Sequence, residues 1–260
     1  MSKLILANKG CIPSAITLRE QIRKLSGIKL LVTTNPEKEN IVFRYGNSSM
    51  TNYPSKDIVN NASFIYLSSN KQLFSQFCII NGIRAPIFNK LNFQMPDEFP
   101  ILVRETLSGK GCEGIHKIYS VENLIGLNPN WNWTPYCNIK KEYRVHIING
   151  KIIRVFEKIF QGENNDGIII RNNDNSKFSL IENINEKILI GKFTRLNEVS
   201  LKLYDLLSEK HENIPLMFSL DIGFDAEKRD YIIFEANSAS GLNENTAMEY
   251  AKEIIKLMEI

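Results

Sequence analysis

Two carboxylates and an amide stand where one hairpin can bring them together. Glu235 and Asn237 are two apart in the apolar run DYIIFEAN (230–237), so on a strand they share a face while Ala236 points away. Asp221 lies in MFSLDIGF (217–224), and the turn-like DAEKR between the runs would pair them antiparallel. Oxygen donors without a nearby His or Cys suit a hard cation such as Mg²⁺, with Mn²⁺ as a substitute, which takes few protein ligands and fills its octahedron with water and phosphate oxygens. After Asn237 the chain turns to Ser238, Ala239, Ser240 and Gly241, small residues that let a phosphate approach the backbone. The same spacing also describes two acids on the wet face of a half-buried sheet, and spacing alone does not choose.

A second stretch bears on that choice. VRETLSGKGCEGIHKIY (103–119) reads as strand, glycine-bearing loop and strand, and such loops can fold backbone N–H groups over a triphosphate. It is no Walker A loop, because the G-x-x-x-x-G-K-[ST] order is missing, and most glycine-bearing hairpins are only turns.

These residues need elements to carry them. KLILA (3–7) is a short strand, ITLREQIRKL (16–25) has helical spacing, and KLLVTT (29–34) and IVFRY (41–45) are further strands, a β-α-β-β opening that suggests an open α/β lobe. SSNKQLFSQFCIING (68–82) is a helix with a Ser or Asn cap and a Gly82 stop, placed to link two lobes. EYRVHIINGKIIRVFEKIF (142–160) is a hairpin turning at Asn149-Gly150, the preferred two-residue type I′ pair. FTRLNEVSLKLYDLLSE (193–209) and NTAMEYAKEIIKLMEI (245–260) each carry an apolar helical stripe.

With 260 residues the chain can bury a sizeable core, and its 43% hydrophobic and 23% charged residues are ordinary for a globular protein. A net charge of +3 gives no field for nucleic acid or an anionic membrane, so neither is expected as a partner. Cys11, Cys78, Cys112 and Cys137 are scattered without C-x-x-C spacing and read as reduced thiols. The opening MSKLILANKG is too short in its apolar core for a signal peptide, which leads to the expectation of a cytoplasmic protein.

ILVRETLSGKGCEGI, EYRVHIINGKIIRVFEKIF and SLDIGFD…YIIFEANSASGLNEN occur in an order that resembles the ATP-grasp superfamily: first strand and glycine-rich loop, central hairpin, metal-binding end. The similarity is greatest to compact phage and bacterial members, and more distant to ligases that add glutamate to a ribosomal protein. It implies an α/β (α+β) fold: a small α/β lobe at 1–69, a linking helix and lid at 70–139, and a catalytic part at 140–260, with ATP gripped between antiparallel sheets. It further implies that Asp221, Glu235 and Asn237 hold Mg²⁺, that Ser108, Gly109, Gly111 and Gly114 form the phosphate lid, and that Glu142 accepts from the ribose hydroxyls. Arg104 stands where a lysine usually contacts the α-phosphate, and Lys71 resembles another nucleotide-contacting lysine. Lys158 and Arg171 are candidates for neutralising γ-phosphate charge or gripping a carboxylate, while Arg144 and Arg154 are placed to line the substrate side. The run TPYCNI (134–139) departs from the usual adenine hinge, so backbone groups at Tyr136 and Cys137 would read the base, and Ser240 replaces a usual proline.

The activity so implied is an ATP-dependent carboxylate–amine ligase acting on a small molecule, amino acid or peptide, with a homodimer as one option. A small-molecule kinase on the same scaffold and a silent nucleotide-binding module are the alternatives. None of these needs a nucleophilic side chain, which agrees with isolated His116, His146 and His211.

Overall fold

The computed structural model describes residues 3–35, 41–49, 56–107, 114–162, 170 and 175–258. Ser108, Gly109, Gly111 and Arg171 therefore lie outside the described residues.

The chain opens with β1 (Lys3–Ala7), α1 (Ile12–Ser26), β2 (Leu31–Thr33), β3 (Ile41–Tyr45) and β4 (Lys56–Val59). These strands form a parallel sheet of order β2-β1-β3-β4. Pro13 sits in the first turn of α1, where its missing N–H costs nothing, and Gly27 ends the helix in the left-handed conformation with φ +72°. α2 (Ala62–Ser69) and α3 (Lys71–Ile80) follow. The Asn70 side chain accepts from the N–H groups of Gln72 and Leu73, so the cap expected from the sequence is the asparagine.

A small sheet of order β5-β8-β6-β7 comes next, from β5 (Asn89–Lys90), β6 (Ile101–Arg104), β7 (Ile115–Ile118) and β8 (Asn132–Pro135). Its own core holds Leu91, Ile101, Val103, Ile118 and Trp133.

The largest sheet has the order β11-β10-β9-β12-β13, from β9 (Ile139–Ile148), β10 (Lys151–Phe160), β11 (Ser176–Leu180), β12 (Met217–Asp225) and β13 (Asp230–Asn237), all antiparallel neighbours. Asn149 and Gly150 turn β9 into β10 with φ of 48° and 70°, the double left-handed pair that a type I′ hairpin requires. One face of this sheet is apolar: Tyr143, Val145, Val155, Phe218, Leu220 and Ile233 pack with Phe64, Phe74 and Leu203 in the main core. α4 (Ile184–Leu189) and α5 (Thr194–Lys210) cover that side together with α2 and α3. α6 (Glu244–Met258) packs on α1, joining Tyr250, Ala251 and Ile254 to Leu18, Ile22 and Phe43. No helix among the described residues is long and apolar enough to cross a membrane.

α2, β4, β8, β11 and α4 were not among the elements the sequence announces. ASFIYLSS is apolar nearly all round and gives no stripe, because α2 is wedged into the core with Phe64 and Ile65 buried. β8 has four residues, one of them Pro135, and owes its strand state to pairing with β5 and β6.

Candidate active site

The other face of the large sheet is polar, and strand register decides what meets there. Lys158 is opposite Glu142, Phe156 opposite Arg144 and Arg154 opposite His146. β9 in turn sets Arg144 against Asp221 and His146 against Ser219, and β13 places Glu235 across from Asp221 and Asn237 across from Ser219. Asp221, Glu235 and Asn237 thus occupy adjacent places on one face.

Asp221 is 3% exposed and is held by two cations. Arg144 forks onto it, Nε donating to Oδ1 and Nη2 to Oδ2, each at 2.8 Å, and Lys158 Nζ donates to Oδ2 at 3.2 Å. Lys158 also pairs with Glu142. Burial alone would push the Asp221 carboxyl up, but Arg144 and Lys158 outweigh it and hold the group well below its usual range. Burial likewise works against the Lys158 ammonium, and Asp221 and Glu142 more than compensate, leaving its pKa raised. Phe178 of β11 closes the cluster from above, its ring centroid 4.9 Å from the Arg144 guanidinium carbon.

Glu235 lies at the more open edge. Its Oε2 pairs with Lys71 Nζ at 2.8 Å, and its Oε1 accepts from Asn237 Nδ2 at 3.1 Å. The amide oxygen of Asn237 is thereby turned away from the bond it would otherwise share. Lys71, at the first turn of α3, also donates its backbone N–H to Leu107 O at 3.4 Å, so the base of the glycine loop and the Glu235 end of the sheet meet at one helix terminus. Gly114 closes that loop with φ +66°, its carbonyl accepting from Glu105 N at 3.0 Å.

Arg104 points its Nη1 at Thr134 Oγ1, 2.8 Å away, and lies over the Phe88 ring. At the hinge, Tyr136 N–H donates to Pro100 O and the Cys137 carbonyl accepts from Ile139 N, so both groups are engaged within the chain. Burial, then the nearby Asp225, raises the Cys137 thiol.

The loop after Asn237 is stitched to the first lobe, which the sequence did not announce. Tyr45 Oη donates to Ser240 O, the Ser240 and Ser219 hydroxyls bond to each other, and Leu242 N donates to Ser14 Oγ at 3.2 Å. Gly46, with φ +69°, is needed here: a Cβ on it would stand 2.7 Å from the Ala239 Cβ. Tyr45 and Ser240 are 195 positions apart, so no local signal could link them.

His146 is 2% exposed. Tyr250 Oη donates its one proton to Phe218 O at 3.0 Å, so the 3.1 Å contact with His146 is satisfied when Nδ1–H donates to the tyrosine oxygen. Burial, reinforced by Arg144, lowers the His146 pKa to about 3. A group depressed from 6.5 in this way favours the fold fully above pH 6.5, and that stability is lost as pH falls toward 3. At about 1.4 kcal/mol per unit, complete loss is on the order of several kcal/mol. The urea midpoint is therefore expected to drop steadily between pH 6.5 and 5, before the carboxylates titrate, and the slope is expected to shrink in His146→Gln; a flat profile would contradict a buried neutral imidazole.

Among the described residues no three His, Cys, Asp or Glu side chains cluster as a metal site. The donor set that the sequence nominates has two carboxylates and an amide, all hard oxygens, which fits Mg²⁺ or Mn²⁺ completed by phosphate and water. A pocket of about 210 Å³ opens elsewhere, between Gly82–Arg84 and α5, and contains none of the nominated residues.

No sequence-family model and no curated protein matches this sequence. Solved structures do match in shape. D-cycloserine synthetase DcsG superposes with a TM-score of 0.67 at 11% identity, over 98% of this chain and 100% of that one. ATP-grasp ligase PsnB, solved with a phosphomimetic variant of its minimal precursor, Mg and ADP, gives 0.65 at 9% identity, over 99% and 98%. The chain has the ATP-grasp fold. D-alanine–D-alanine ligase from Bacillus anthracis, complexed with ATP, shares that ATP-grasp architecture at a TM-score of 0.61 and 14% identity, over 99% of this chain and 93% of that one.

Proposed function

We propose that the protein is an ATP-dependent carboxylate–amine ligase that forms an amide through an acyl phosphate and requires Mg²⁺. The observation that carries this reading is the polar sheet face, where Asp221, Glu235 and Asn237 stand beside Lys71, Arg144 and Lys158. Several neighbours of the same fold bear ligase names, and the roles given to this chain's residues are those that its sequence resemblance implies. Residues 1–69, 70–139 and 140–260 would then serve as substrate lobe, lid and catalytic part.

Asp221, Glu235 and Asn237 would hold the metal, which when bound neutralises phosphate charge and orients the triphosphate. Asp221 uses three of its roughly four lone-pair sites on Arg144 and Lys158, leaving about one for a cation. Glu142 would accept from the ribose, Tyr136 and Cys137 would border the base, and Arg104 and Lys71 would meet phosphate oxygens. Gly114 would belong to the lid with Ser108, Gly109 and Gly111, Lys158 and Arg171 would neutralise γ-phosphate charge or grip a carboxylate, and Arg144 and Arg154 would line the substrate side. A substrate carboxylate oxygen attacks the γ-phosphorus and the bond to ADP breaks. An amine then attacks the acyl carbon, phosphate leaves and the amine proton passes to solvent. Water exclusion and positioned charge supply the rate, with no side-chain nucleophile.

The test is ADP release over a matrix of carboxylates and amines, paired with mass spectrometry of products. Release that needs both substrates and Mg²⁺ supports a ligase. Release with a single acceptor identifies a kinase, and no Mg²⁺·ATP-dependent thermal shift at all identifies a silent module.

A further inference from the structure

The charges of the polar face pair off, with one exception. Arg144 and Lys158 answer Asp221 and Glu142, and Lys71 answers Glu235. Arg154 is the fourth cation, and among the described residues it has neither an ion pair nor a hydrogen bond. Its Nε is buried without an acceptor, while the side chain as a whole is only partly buried, so the outer edge of the guanidinium stays within reach of a ligand.

Its orientation follows from the sheet. Val155, the next residue, is buried in the apolar core, so Arg154 projects from the polar face beyond the bulge between Ile152 and Arg154. That face runs in three rows about 7 Å apart, two residues of strand each. The first carries Lys158 and Glu142, the second Arg144, Asp221 and Glu235, and the third Arg154, His146, Ser219 and Asn237. Arg154 therefore lies past the row proposed for the phosphates, on the side away from Glu142. It is also three strands from Asn237, about 14 Å between backbones at the usual strand spacing. An anionic group meeting Arg154 would therefore stand well apart from the metal ligands proposed at Glu235 and Asn237. His146 and Ser219 between them are uncharged, and Asp221 already takes three hydrogen bonds from Arg144 and Lys158, so among the described residues no acid on this face is left over to pair with Arg154.

We propose that Arg154 is a specificity-determining residue: it grips, through its guanidinium fork, a carboxylate that is not consumed in the reaction, so that the substrate pair includes an amino acid, peptide or dicarboxylate with a free carboxylate to spare. A planar fork fits a carboxylate with two parallel hydrogen bonds, which a lysine cannot reproduce. The inference rests on the ligase reading for the direction in which the nucleotide lies. The spare carboxylate belongs either to the amine-bearing acceptor or to a dicarboxylic donor.

Calorimetric titration of the full chain separates these cases. The probes are glycine, L- and D-alanine, L-glutamate, glycylglycine and glutarate, each beside its carboxamide, with and without Mg²⁺ and a non-hydrolysable ATP analogue. At least one acid is expected to bind, with its amide about 30-fold weaker, and Arg154→Gln is expected to bring the acid down to the amide's affinity while nucleotide affinity stays within about twofold. Arg154→Lys should fall between, which guards against a folding defect in the first variant. Binding of monocarboxylic amino acids assigns the acceptor; binding of glutarate and glutamate alone assigns the donor. Failure of every acid to bind wild type, or an unchanged acid-to-amide ratio in Arg154→Gln, overturns the proposal. Failure of the nucleotide to bind wild type overturns the ligase reading instead, while the nucleotide-free titrations still report on Arg154.

Discussion

Glu235→Gln is expected to cut ADP formation by roughly 10²–10³ while leaving the protein folded. The two halves of that expectation have separate causes. Glu235 and its partner Lys71 are each about a quarter exposed, 23% and 24% at the side chain, so the ion pair contributes little to folding, of order 1 kcal/mol or less. A glutamine keeps the shape and can still accept from Asn237 Nδ2, now through its amide oxygen. The metal would lose a negative ligand, however, at the point where charge develops on the transferring phosphoryl group. Removing one such electrostatic contact costs roughly 3–4 kcal/mol, or 10²–10³ in turnover. The thermal midpoint without ligand is expected to stay within about 2 °C of wild type, and the added shift from Mg²⁺ with ATP is expected to vanish. Turnover like that of the wild type would remove Glu235 from the metal site.

The pair that this variant breaks shows what a sequence can and cannot tell. Glu235 and Asn237 share a face because they are two apart on a strand, a local fact readable from DYIIFEAN. The turn at Asn149-Gly150, the Asn70 cap and the stripe of α5 were legible for the same reason: each signal spans a few residues. The Lys71–Glu235 contact joins residues 164 positions apart across α3 and β13, and only the packing of α3 on that strand creates it. Family resemblance nominated Lys71, Arg144, Lys158 and Glu142 one by one, yet no motif states that Arg144 forks onto Asp221 while Lys158 bridges Asp221 and Glu142. That arrangement depends on the register of β9, β10 and β12, including bulges between Ile152 and Arg154 and between Asp221 and Ile222. A one-residue slip in any of them would turn the cluster into the core. Phe178 was missed because SKFSL is a short edge strand whose partner, β10, had to be known before its ring could be placed over Arg144.

Asp221→Asn is the variant expected to damage the fold itself. The carboxylate is 3% exposed and is shared by two cations, one of which, Lys158, has a side chain only 4% exposed. An asparagine removes the charge but not the burial, leaving Arg144 and Lys158 with Glu142 as the one acid still bonded among the three. Removing one member of a buried ionic network typically costs about 3–5 kcal/mol, which for a chain of this size lowers the thermal midpoint by roughly 10 °C. The pH dependence should change in a defined direction. Because Arg144 and Lys158 hold the Asp221 carboxyl below its unfolded value, the stability it provides is present above the ordinary aspartate value of 3.8 and is lost as pH falls below it. Wild type is thus expected to lose stability on acidification through that range, and Asp221→Asn to lose less, so the two converge at low pH. Charge and packing can be told apart by pairing the substitution with Arg144→Gln. If uncompensated charge is the cause, the double variant is destabilised by less than the sum of the singles, with a coupling on the order of 1–3 kcal/mol. Strict additivity would mean that the fork between β9 and β12 stabilises nothing.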